Sequence, residues 1–462
     1  MELKDLKVAE AVKLFKQKKL SPVEYTKSII DEVRQHWDLN TVVNLNEEIA
    51  VRNAEESEKR YANGSELSKI DGIPIGIKDI IDTKDIITTY GCKGYREHYP
   101  KEDAFVIRKL KEAGANIFMK CNTSQFALGP TGEVSYDGPV KNARNPEYTT
   151  GGSSSGSASA VAGHLMPAAL GSDSGGSIRV PSSICGTVGI KPTFSLVSNQ
   201  GVMPVSETVD CVGPITRSVE DGAMILQTIA AYDINEWRSS PAPKVDYCER
   251  LNEGVKGTKV VVLSNLFEGC IMPEVVKGCK DAIDALKDAG AEIIEKNSPD
   301  VQDLRRAHQL NMLAMAHCYH LDDVKNCKEY IYDEVLARLE SGSISSDECL
   351  SYEMQKNKMR KIIFDLMGDA ECILYPTTPL TACKIGESRK MVSYNGKETC
   401  SFMANGSLTW ASSFACTPCI SVPAGFTEEK LAVGVSFMGR PFDDQNLIRI
   451  ANGLQRSMGL EL

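Results

Sequence analysis

The sequence predicts an α/β protein, and three observations carry that prediction. From Gly72 onward, short apolar runs, amphipathic segments and glycine-rich turns alternate, as they do where helices are layered on a sheet. Residues 260–263, 274–289 and 292–295 then read strand, helix, strand, the spacing of one crossover unit. Finally, the 462 residues are 42% hydrophobic and 25% charged, an ordinary globular balance with material for a deep core and no disordered tail.

Taken in order, Val8, Ala11, Val12 and Phe15 fall at helical spacing and predict a helix over 5–17. Ser21-Pro22-Val23-Glu24 supplies an N-cap, a first-turn proline and a capping-box acid for a second helix. A strand is expected at 41–45, followed by a more solvent-facing helix over 47–62 that Asn63-Gly64 ends. GIPIGIKDII, from Gly72, reads as a buried strand, and a lysine in its middle, Lys78, needs a reason to be there. A helix over 104–113, a strand over 115–119 and a helix over 158–163 follow. The polar, proline-containing stretch around 239–245 is the one candidate internal boundary. Residues 301–367 read as helical cover over the sheet, after which strands at 372–375, 420–422 and 433–437 and a helix over 445–455 close the chain.

Composition removes several function classes. A net charge of -10 without a run of Lys and Arg excludes a phosphate-tracking surface, so direct nucleic-acid binding is not expected. The N-terminal MELKDLKVAEAVKLF lacks the apolar core of a signal peptide and no segment is long enough for a membrane span, which predicts a cytoplasmic protein with no membrane contact. The 15 cysteines are odd in number and scattered, as free thiols in a reducing compartment would be. Cys416 and Cys419 form a C-x-x-C without a thioredoxin-like helix start, and read as small buried residues. His317, Cys318, His320, Asp322 and Asp323 are metal-ligand types with no second cluster at zinc spacing, so no metal and no other cofactor is expected.

The stretch from Gly151 to Pro181 concentrates the chemistry, because two Gly/Ser loops there bracket an apolar segment that must be held by a core. Three readings stand side by side. Gly152-Ser153-Ser154-Ser155-Gly156 satisfies G-x-S-x-G, which would make Ser154 a nucleophile; the downstream histidines it needs are His164, too close to leave room for an acid, and His308, His317 and His320, on predicted helices. The same loop could cradle an anion, although no P-loop lysine follows it. The third reading joins Lys78, Ser153 and Ser177: burial disfavours a charged amine, and a neutral lysine can activate a serine without histidine. Ser177 follows Ser174-Gly175-Gly176, whose consecutive N–H groups could converge on an oxyanion. On this reading the six histidines serve surface or packing.

GIPIGIKD at 72–79, GGSSSGSASA at 151–160, GSDSGGSIRVPSSICGTVGIKPT at 171–193 and GPITRSVEDGA at 213–223 resemble the amidase signature family in order and spacing, across essentially the whole chain. The resemblance implies one α/β/α domain around a mixed sheet spanning 1–462, with an N-terminal helical region at 1–70, a signature core at 71–230 and a C-terminal part of the same fold at 231–462. It also implies a Ser-cisSer-Lys triad: Ser177 as acyl-forming nucleophile, Ser153 as proton relay after a cis peptide, Lys78 as base. The N–H groups of Ser174, Gly175, Gly176 and Ser177 would form the oxyanion hole, with Asp173 and Arg179 bracing the turn.

Length and N-terminal spacing resemble the glutaminase subunits of tRNA-dependent amidotransferases, which release ammonia for partner subunits. The pattern departs from theirs at Ser155, in place of a glycine, and at Gln125 and Gly406, each in place of an acid. The tyrosine-rich stretch ahead of Arg360 is missing too. An acid that held the α-amino group of glutamine would contribute roughly 1.5–3 kcal/mol, so its loss argues against glutamine. The expectation is a stand-alone amidase for a small-molecule amide, with Phe126, Arg360 and Trp410 as substrate contacts and room for a homodimer. A glutaminase subunit with partner subunits and a non-catalytic binding protein on the same fold are the alternatives; intact triad positions speak against the last.

Overall fold

The computed structural model describes residues 2–241, 244–269, 272–394 and 397–460. An 11-stranded sheet organises the chain. In spatial order its strands are Val42–Leu45, Asn116–Cys121, Pro74–Lys78, Ala168–Asp173, Cys211–Thr216, Val188–Lys191, Cys419–Phe426, Ala432–Met438, Cys372–Pro376, Lys259–Leu263 and Glu292–Lys296. The sheet is mixed. Pro74–Lys78 runs parallel to both of its neighbours, the centre from Ala168–Asp173 to Cys372–Pro376 is antiparallel, and the last three strands are parallel. Strands from either side of 239–245 enter this one sheet, so the chain is a single α/β domain; residues 242 and 243 of that candidate boundary lie outside the described residues.

The central strands are buried along their whole length, as expected where helices flank both sides of a sheet. The parallel unit at 259–296 forms as its pattern predicts, with helix Pro273–Asp288 crossing between its strands. At the N-terminus, helix Val8–Lys16 buries Val8, Ala11, Val12 and Phe15. Ser21 caps helix Pro22–Gln35 by accepting from Val23 N (3.0 Å) and Glu24 N (3.4 Å). The reciprocal bond of a capping box, from Ser21 N to the Glu24 carboxylate, does not form, and the Ser21 hydroxyl donates to Glu58 on helix Glu47–Asn63.

Three strands of the centre are not apparent from the apolar pattern, namely Ala168–Asp173, Val188–Lys191 and Cys211–Thr216. Each contains glycine, which weakens the strand signal, and Cys211–Thr216 also carries a proline. The region 301–367 is helical, including Gln302–Tyr319, Asp333–Glu340 and Lys356–Met367. No helix among the described residues is long and apolar enough to cross a membrane. Cys92, Cys121, Cys185, Cys211, Cys372 and Cys419 are buried free thiols.

Candidate active site

The parallel register that sets Ile77 opposite Leu170 brings Lys78 and Ser172 out at the same end of neighbouring strands, the end where sites in α/β sheets form. Lys78 is completely buried. Its Nζ donates to Ser153 Oγ at 2.7 Å and to Ser172 Oγ at 2.8 Å. Burial pulls this amine down to about 7, against the opposing pull of Asp173 and Asp210. Ser172, which sits between better-marked neighbours, is not singled out by the sequence pattern, and its role as the second partner of Lys78 comes from the register alone.

Ser153 follows a cis peptide from Gly152. Its carbonyl accepts from Ser124 N (3.1 Å) and Thr123 Oγ1 (2.9 Å), which fixes the loop from outside. A side chain at Gly152 would collide with the Gly129 carbonyl oxygen, so only glycine allows this close approach. The two loops are tied directly: Ser154 N donates to Ser177 O at 3.2 Å. Ser154 itself is buried, with its hydroxyl held by the backbone of Ser172 (3.3 Å to both O and N). The G-x-S-x-G match is therefore a turn packed into the structure, with its hydroxyl facing away from the cavity.

Ser174, Gly175, Gly176 and Ser177 line a cavity of about 260 Å³. Their N–H groups find no protein acceptor among the described residues. Gly176 adopts φ +140°, and a Cβ there would collide with Thr409 Oγ1, which instead donates to Gly175 O at 2.6 Å. Below the turn, Arg179 grips Asp173 through Nε (2.9 Å) and Nη2 (2.8 Å) and reaches Thr409 O and Ser412 Oγ at 2.8 and 2.6 Å. Burial alone would raise the Asp173 carboxyl, but the guanidinium overrides it and holds the group at about 2. Ser174 donates to Asp210, which burial pushes up to about 6 despite further bonds from Val205 N and Ser206 N at 2.9 Å.

Residues 24–448 match the Amidase family model. The chain belongs to the amidase signature family. It is 33% identical to a glutamyl-tRNA(Gln) amidotransferase subunit of Geobacter sp. (strain M21), over 99% of this chain and 98% of that one. A solved chain from an inhibitor-bound vestigial protein complex, described as revealing the evolutionary origins of an s-triazine catabolic enzyme, superposes with a TM-score of 0.92 at 27% identity, covering 98% of this chain and 99% of its own. The corresponding glutamyl-tRNA(Gln) amidotransferase subunit of Thermotoga maritima superposes at 0.79 with 29% identity, covering 99% and 95%.

Within this amidase fold the expected substrate contacts divide. Trp410 lines the cavity. Phe126 does not; it is fully buried one residue before cavity-lining Ala127, and stacks on His320 at 4.3 Å. Arg360 also lies off the cavity wall, donating from Nε to Ala415 O at 3.2 Å. Gln125 braces the cover instead, bonding Tyr330 O (2.7 Å) and Tyr332 N (2.9 Å). Gly406 does line the cavity, and the space a Cβ would occupy there is open.

His317 and His320 turn to separate partners, Leu339 O and Asp323, rather than to a common metal. His308, assigned to surface or packing from sequence, is at the cavity, and its buried Nε2 has no protein partner. Burial, reinforced by Lys356, holds His308 down at about 3, so it stays neutral.

Proposed function

We propose that this protein cleaves a small-molecule amide through an acyl-enzyme on Ser177, with Ser153 relaying a proton to Lys78. The observation that carries the reading is the Lys78 amine at about 7, bonded to Ser153 and placed beside a turn of unengaged N–H groups. A neutral amine has a lone pair, so the 2.7 Å contact can run with the Ser153 hydroxyl donating. As Ser177 Oγ bonds to the amide carbon, its proton passes to Ser153, and the Ser153 proton passes to Lys78. The carbonyl oxygen becomes an oxyanion and takes N–H bonds from the turn of Ser174 to Ser177. Collapse of the intermediate breaks the C–N bond, and the proton held by Lys78 returns through Ser153 to the leaving nitrogen. Water then repeats the sequence on the acyl-enzyme, releasing the acid and restoring the Ser177 hydroxyl.

Turnover of a panel of amides and esters, with intact-mass detection of a trapped acyl group, tests this reading. A folded protein that turns over none of them and traps no acyl group would refute it.

The second reading is a glutaminase subunit of a tRNA-dependent amidotransferase, and the names of the sequence relatives favour it. The cavity favours the first: Gly406 leaves open space where an acid is usual, and no aspartate or glutamate lines the cavity among the described residues. Co-purification with partner subunits, and glutamine turnover only in their presence, would decide for the second.

A further inference from the structure

The wall of the cavity opposite in charge to an acidic ligand comes from the helical cover. Helix Gln302–Tyr319 turns Arg305, His308, Gln309 and Met312 to the cavity, the i, i+3, i+4, i+7 spacing of one helix face. Helix Asp333–Glu340 adds Arg338. Neither arginine has a carboxylate partner among the described residues. Arg305 donates to Met403 O at 3.3 Å, which engages one of its five N–H groups. Arg338 rests near the Phe402 ring at 5.7 Å, and its buried Nε has no acceptor. Glu334, on the same helix as Arg338, is paired with Arg389 at 2.9 Å. A guanidinium fork left unpaired beside a cavity is matched by a planar anion that takes two N–H bonds at once. The same wall opposes an ammonium group, which would meet two cations and no acid.

We propose that Arg305 and Arg338 form the specificity subsite of the cavity, so that the substrate is an amide bearing a free carboxylate and no ammonium, as in the monoamide of a dicarboxylic acid. This rests on the reading of Ser177 as the acylated residue and deepens it: the amide carbonyl lies at Ser177 while the carboxylate is held by the arginines.

The test compares monoamides from malonamate to adipamate with neutral amides of matched chain length, succinamate against butyramide for example, and with glutamine. The wild type is expected to favour its best monoamide in kcat/KM by at least roughly tenfold, the scale of one charge-assisted hydrogen bond. Arg338→Gln and Arg305→Gln should raise KM for that monoamide about tenfold or more, and should lower kcat/KM for the monoamide by a clearly larger factor than for the neutral amide. Arg338→Lys, which keeps the charge without the fork, should recover part of the loss. Equal losses on charged and neutral amides, or a wild type with no preference, would overturn the subsite. Calorimetric binding of the matching dicarboxylate to Ser177→Ala separates this from the catalytic reading. Binding that Arg338→Gln weakens supports the subsite even if no amide is turned over, and binding indifferent to both arginines overturns it even if amides are cleaved.

Discussion

Removing or recharging the Lys78 amine is the perturbation with the most distinctive outcome. Burial brings the amine from 10.5 to about 7, which corresponds to about 5 kcal/mol against the charged form at 1.36 kcal/mol per tenfold change. At pH 7 about half of the molecules then hold a neutral base, against roughly one in three thousand for a lysine in water. The pH profile of kcat/KM should rise through an apparent pKa near 7 and level off on the alkaline side. Lys78→Ala should lose roughly a hundred- to ten-thousand-fold in rate with the fold retained. Lys78→Arg should rescue nothing, because a guanidinium stays charged at any accessible pH. Stability follows with a defined sign. Between pH 7 and about 10.5 the unfolded chain keeps the proton that the folded one has released, so stability rises with pH across that window. Lys78→Met should flatten that rise in urea denaturation. Near-normal activity in Lys78→Arg, or a kcat/KM profile flat from pH 6 to 9, would refute the assignment of the base.

Ser172→Ala removes an acceptor that favours the charged amine, so the acidic limb of the profile should move to lower pH and the plateau should fall about tenfold; a profile that does not move would make Ser172 a bystander. Asp173→Asn strands Arg179 in the interior, and urea denaturation should show a loss of about 3–5 kcal/mol; a loss below about 1 kcal/mol would contradict the bracing role. His308→Ala should lower turnover by no more than about tenfold, because a neutral imidazole that bonds neither Ser177 nor Lys78 is not the base; a collapse by thousands would overturn the lysine mechanism.

What could be read from the sequence depended on whether the signal was local. A lysine inside GIPIGIKDII conflicts with its own strand, and that conflict is visible without a structure; the buried amine at the strand end is its resolution. The parallel unit at 259–296 is equally legible, because Val-rich runs and an amphipathic helix each announce themselves. Strand Ala168–Asp173 is not, since AALGSD continues the small-residue texture of the helix before it, and the part played by Ser172 is hidden with it. The cavity wall is the least legible part. Arg305, His308 and Arg338 sit on helices whose polar faces look solvent-directed in sequence, and only the closure of the cover over the Ser177 turn brings them to the cavity. Arg360 shows the converse: its position along the chain suggests a substrate contact, but its guanidinium bonds the Ala415 carbonyl.

The most direct test is the site of the covalent adduct. A fluorophosphonate probe followed by peptide mapping should place the adduct on Ser177 in the wild type and in Ser154→Ala, and Ser177→Ala should lose both labelling and turnover. An adduct on Ser154, or labelling that survives in Ser177→Ala, would contradict the Ser177 acyl-enzyme.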